Sequence, residues 1–169
     1  TDCTLSALSK SLQLDPAHLD ANERTAALLG TLKRTNDLHS HYRKWTDRIP
    51  TSDLSRKVQT RLALSLLGDQ TTIVEGLTEL AKVLEKDAEL PEAHEALVSI
   101  IERAERTENN LGRMPSEWAE ALDRAVELLE AVTGENPTPI QQEAIWRVQL
   151  RDLKGPKKRR KLLEKLGHL

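Results

Sequence analysis

The sequence predicts an all-α protein built from repeated antiparallel helix pairs. Three observations carry that prediction. Apolar residues recur at helical spacing along almost the whole chain, with turn chemistry between the runs. No β-branched stretch alternates between turn signals, so no strand is expected. The chain also matches itself when displaced by 72 residues, as arrays of one supersecondary unit do. Composition agrees: Phe is absent, and the aromatic residues are Tyr42, Trp45, Trp118 and Trp146. The interior must then be Leu, Ala, Ile and Val, which suits close-packed helices.

Nine helices are expected. Leu5, Leu8 and Leu12 mark the first, which stops at Asp15-Pro16. The second runs from Leu19 to Leu32. Asn36 is a good N-cap for a third, running through Leu38, Tyr42 and Trp45 to Pro50. Thr51 or Ser52 caps a fourth, with Leu54, Val58, Leu62 and Leu66 one turn apart and an end near Gly68. Ile73, Leu77, Leu80 and Leu84 define the fifth. Pro91 opens the sixth at a position where its missing N–H costs nothing. The segment Asn109 to Pro115 is longer than stacking requires and reads as a surface insertion or contact loop. Ser116 is expected to cap the seventh, which carries Trp118, Leu122, Val126 and Leu129. Thr138-Pro139-Ile140-Gln141 is a capping box opening an eighth through Leu153. Gly155-Pro156 breaks it before a short basic ninth. Residues 1–153 thus read as the repeat array and 154–169 as a basic amphipathic capping helix.

At the 72-residue displacement, Leu8, Leu12, Asp15, Ala21, Glu23 and Arg34 fall on Leu80, Leu84, Asp87, Ala93, Glu95 and Arg106. The match resumes at 76, placing Tyr42 on Trp118, and at 86, placing Arg61 on Arg147. Four helices per 72 residues make the unit a pair of about 36. A lone hairpin of that size loses roughly 1.5 kcal/mol of ordering entropy per residue and cannot bury enough apolar surface by itself. Stacking on neighbours supplies the missing burial.

Leu14-Asp15-Pro16, with looser echoes at Arg48-Ile49-Pro50 and Lys86-Asp87-Ala88, resembles the closing motif of the tetratricopeptide repeat (TPR) family. In the pair from Leu19 to Pro50, Ala26 falls at that family's small first-helix position and Tyr42 at its second-helix aromatic. Two positions depart from the pattern: Trp45 stands where the family prefers Ala, and Asn22 where it prefers an aromatic. The half-a-TPR repeat of RNA-processing scaffolds, which favours Trp and Tyr, is a near relative. The resemblance implies a right-handed α-solenoid whose first helices line a concave groove. It also implies a non-catalytic scaffold or adaptor that grips a peptide or partner protein there. Groove candidates are Glu23, Lys57, Arg61, Glu95, Trp146, Arg147 and Arg151. The family's carboxylate-gripping set is missing, because Asp20 and Glu23 stand where a Lys and an Asn are wanted.

Charge and special residues exclude much else. Residues 154–169 hold seven Lys or Arg against one Glu, so a net −2 overall leaves −8 on the rest. An acidic body with a basic tail is not the footprint of a general nucleic-acid binder. Lys157, Lys158, Arg159, Arg160 and Lys161 could still contact RNA, serve nuclear import or dock an acidic partner. Leu162, Leu163 and Leu166 favour a capping helix. Cys3 is the lone cysteine, which rules out an internal disulfide and makes a reducing, cytoplasmic setting the default. No apolar run approaches the ~20 residues of a membrane span. The chain begins without Met inside a helical run, as expected of a fragment.

Chemistry is sparse. His39 and His41 are two residues apart and diverge by about 200° on a helix. His18, His94 and His168 lack a His or Cys partner at helical spacing, so no metal or cofactor is expected. All seven glycines are isolated, which excludes a phosphate loop. Glu92 with Glu95 and Glu117 with Glu120 read as solvating charges. An enzyme is not expected, though a regulatory domain of one is an alternative.

Overall fold

The computed structural model describes residues 2–49, 53–134 and 136–152. They form eight helices: α1 (Asp2–Leu14), α2 (Leu19–Thr31), α3 (Thr35–Thr46), α4 (Asp53–Leu67), α5 (Ile73–Leu84), α6 (Pro91–Leu111), α7 (Ser116–Thr133) and α8 (Pro139–Asp152). No strand occurs among the described residues, and the fold is all-α. The expected ninth helix and the basic stretch Lys157 to Lys161 lie outside the described residues.

Helix ends follow local hydrogen bonding. The side chain of Asp15 accepts from Ala17 N at 3.1 Å, and His18 Nδ1 accepts from Ala21 N at 3.3 Å, capping α2. At its far end Lys33 adopts φ 55°, and Lys33 N and Arg34 N donate to Gly30 O and Leu29 O, both at 3.0 Å. This is a Schellman turn, and it starts α3 earlier than the expected cap at Asn36. Arg34 is the N-cap instead. The capping box of α8 forms as expected: Thr138 N donates to Gln141 Oε1 at 2.8 Å, and Gln141 N to Thr138 Oγ1 at 3.4 Å.

Two further expectations change. Pro115, not Ser116, caps α7; its carbonyl accepts from Trp118 N and Ala119 N at 3.1 and 2.9 Å. The supposed insertion is largely helix, because α6 runs on through Asn109, Asn110 and Leu111. Gly112 then stops it at φ 67°, a left-handed geometry that glycine adopts without strain.

The main core is shared by α4 to α8, with Leu77, Leu80, Leu97, Ile100, Leu122 and Leu129 all but inaccessible. Such burial contributes roughly 1.5–3 kcal/mol per large aliphatic side chain. Trp118 belongs to this core, whereas Tyr42, expected to play the same part, is only half-buried. Trp45, one turn on, is the buried ring of α3 at 1 % exposure. Tyr42 lies nearly parallel to it, centroids 6.5 Å apart.

Extensive contacts join helices that are adjacent or next-but-one in the chain: α4 with α6, α5 with α7, and α6 with α8 in the latter class. The repeat shows in detailed chemistry. Asn22 Nδ2 donates to Pro16 O at 3.0 Å, and His94, 72 residues on, bonds Ala88 O through Nε2 at 2.6 Å. In each case a polar side chain in the first turn of a first helix satisfies the carbonyl six residues back.

Candidate binding surfaces

The groove candidates fall into two patches rather than one. On α2 and α4, Glu23 and Arg61 meet at 3.5 Å, with Lys57 exposed one turn before Arg61. These residues lie opposite the buried faces of their helices, whose inward positions are Ala21, Thr25 and Leu29 on α2 and Val58, Leu62 and Leu66 on α4. The second patch is a cleft of about 300 Å³ between α6 and α8, lined by His94, Glu95, Val98, Glu102, Ile140 and Gln141. Ile140 is 67 % exposed there. Arg147 borders it, paired with Glu105 at 3.8 Å and with Glu143. His94 fastens this seam: its Nε2–H donates to Ala88 O, so its Nδ1 accepts from Gln141 Nε2 at 2.7 Å. Trp146 is half-buried against the edge of the core. The side chain of Arg151 lies outside the described residues.

A third and larger cleft, about 640 Å³, opens between α1, α2 and α3. Its α2 and α3 walls carry Asn22, Thr25, Leu29 and Trp45, all buried, and α1 contributes Leu5, Ser9, Leu12 and Gln13. Arg34, Asp37, Lys44 and Arg48 complete the lining, with Arg34 Nε donating to Asp37 at 2.6 Å. Among the described residues one buried side-chain polar atom lacks a hydrogen-bond partner, and it is Trp45 Nε1. Leaving such a donor unsatisfied costs about 1–3 kcal/mol.

His41 also lines this cleft and bonds Asn22 O at 3.0 Å; because the carbonyl can only accept, Nε2 carries the proton. Burial holds its pKa below the ordinary imidazole value, outweighing the bond to Asn22, and Lys44 and Arg48 push the same way as burial. The unfolded chain therefore takes up this proton near pH ~6.5, the folded chain only lower. Stability from this residue is complete above about pH 6.5 and falls as pH drops from there to the folded-state pKa. A His41→Gln variant should lose less stability than the parent between pH 7.5 and 5.0 in urea unfolding. Equal losses would show that His41 does not titrate differently on folding.

The remaining histidines and carboxylates are held structurally. His39 is buried and bonds Ser65 Oγ at 3.1 Å across the α3–α4 seam, while His41 faces α2, so the two diverge as their spacing requires. Among the described residues no group of three or more His, Cys, Asp or Glu side chains could hold a metal ion. No described helix is long and apolar enough to cross a membrane.

The third cleft escaped sequence reasoning, although two of its lining residues, Asn22 and Trp45, are the positions where the chain departs from the TPR pattern. A second signal was legible: Ser11 stands 72 residues before Val83, which is fully buried in α5. Comparison with family models, with curated proteins and with solved structures finds no match.

Proposed function

We propose that the chain is a non-catalytic protein-interaction scaffold, a right-handed α-solenoid of TPR type that presents successive first helices to a peptide or partner domain. The observation that carries this reading is the order of the contacts. Helices pack on partners one or two places along the chain, as stacked hairpins do, which leaves one face of each first helix outward. Glu23, Lys57, Arg61 and Glu95 all stand exposed on those faces. Links from α2 to α4 through Glu23–Arg61 and from α6 to α8 through Arg147–Glu105 set the first helices side by side. A rigid helical surface with outward charge suits recognition of a helix or extended peptide.

The test is affinity capture with the full chain and with a Lys57→Glu, Arg61→Glu, Arg147→Glu variant. Exposed ion pairs contribute about 0–1 kcal/mol each, so the variant should melt near the parent. Loss of a specific protein partner supports the scaffold reading. Full retention of every partner by the folded variant overturns the groove assignment. Salt-dependent RNA binding, lost when Lys157 to Lys161 are neutralised, would replace it with an RNA scaffold.

A further inference from the structure

Helices α1 and α5 are equivalent under the 72-residue repeat, yet they pack differently. Helix α5 lies against both α4 and α7, and its Leu77, Leu80 and Val83 are wholly buried. Helix α1 packs extensively on α2 alone, and Leu5, Leu8 and Leu12 remain partly exposed. The gap where α1 would meet α3 is the 640 Å³ cleft. Its chemistry is unlike the rest of the body. Arg34 is paired with Asp37, but neither Lys44 nor Arg48 takes part in an ion pair with a described side chain. These cations stand beside apolar side chains from α1 and α2 on a body whose charge outside the tail is −8. A basic rim, an apolar wall and a buried donor without an acceptor occur together.

We propose that this cleft is a second docking site, which takes an acidic segment of a partner protein carrying apolar side chains at helical spacing. The carboxylates pair with Lys44 and Arg48, the apolar side chains pack between Leu5, Leu12 and Leu29, and an acceptor from the segment serves Trp45 Nε1. Charge complementarity selects this occupant: the chain's own basic tail is repelled by the rim, and a neutral peptide leaves both cations unpaired. The inference rests on the scaffold reading but uses a different surface from the α2–α4 and α6–α8 patches.

The probe is a fluorescein-labelled twelve-residue peptide of Glu, Leu and Ala with leucines at helical spacing, titrated into the full chain and followed by anisotropy. Versions with Gln or Lys in place of Glu serve as comparisons. The Glu peptide should bind, the Gln and Lys versions at least tenfold more weakly. A Lys44→Glu, Arg48→Glu variant should lose binding at least tenfold, whereas Lys82→Glu, Arg124→Glu, with the same change in net charge, should not. If the first variant fails to fold, Lys44→Gln, Arg48→Gln replaces it, with a severalfold loss expected. Binding that survives both pairs of changes overturns the site, as does equal binding of the Gln peptide. Equal affinity for a single-stranded oligonucleotide, with the same dependence on Lys44 and Arg48, overturns the partner and leaves a general anion site. Capture of partners through Lys57, Arg61 and Arg147 is scored separately, so failure of the cleft does not touch the scaffold reading, nor the reverse.

Discussion

Gly76→Ala is expected to destabilise the fold by about 1–3 kcal/mol, although alanine is the better helix former by ~1 kcal/mol. The reason is the crossing of α4 and α5. A Cβ added at Gly76 would lie 2.8 Å from the backbone N of Leu67 and 2.9 Å from Leu67 Cγ. A side-chain tip could swing aside, but a backbone nitrogen at the end of α4 cannot without moving the helix. Close-packed interiors resist such shifts, because relieving one overlap opens voids elsewhere. Gly30→Ala provides the opposite sign: a Cβ there meets nothing within 4 Å, so the substitution should stabilise by about 0.5–1 kcal/mol. Urea unfolding of the two variants beside the parent decides the matter. Stabilisation by both would mean that α5 does not seat on α4 as tightly as the coordinates place it.

That contrast marks what a sequence of this kind discloses. The helices were legible because Leu, Ile and Ala recur with the helical period, and burial on one face is what such periodicity encodes. Gly76 reads in the sequence as an isolated weak point of a helix; that it is a contact position depends on Leu67, which the period does not reveal. Helix starts were less legible, for a related reason. Asn36 and Ser116 have the side chains of good caps, but a Schellman turn at Lys33 and the carbonyl of Pro115 meet the same hydrogen-bonding needs earlier. The candidate surfaces were read in part. Outward charge on α2, α4 and α6 follows from helical phase, and the contact between Glu23 and Arg61 follows from stacking α2 beside α4. The α1–α2–α3 cleft does not follow from phase, because it arises from an interface that closes in one repeat and stays open in the other. Only the substitution of Ser11 for the residue equivalent to Val83 hinted at it.

Arg103→Met is expected to cost about 2–3 kcal/mol, and it probes the same junction from the other side. Arg103 is half-buried on α6; its Nη1 donates to Leu67 O at 2.8 Å, and its guanidinium carbon lies 5.2 Å from the centre of the Trp118 ring. Leu67 is the last residue of α4, where carbonyls have no intrahelical donor, so one guanidinium caps α4 while stacking on α7. A charge-assisted bond contributes about 1.5–3 kcal/mol and a partly desolvated cation–π contact about 0.5–2, without simple additivity. Methionine keeps the apolar stem and loses both. Arg103→Lys should fall between, since an ammonium cannot offer the planar fork that stacks and donates at once. Gly76 bears on Leu67 N and Arg103 on Leu67 O, so displacement of that residue by one substitution should alter the cost of the other. A double-mutant cycle between Gly76→Ala and Arg103→Met should give a coupling above ~0.5 kcal/mol. Strict additivity, with Trp118 emission unchanged in Arg103→Met, would show that α4, α5, α6 and α7 do not meet at Leu67 as one unit.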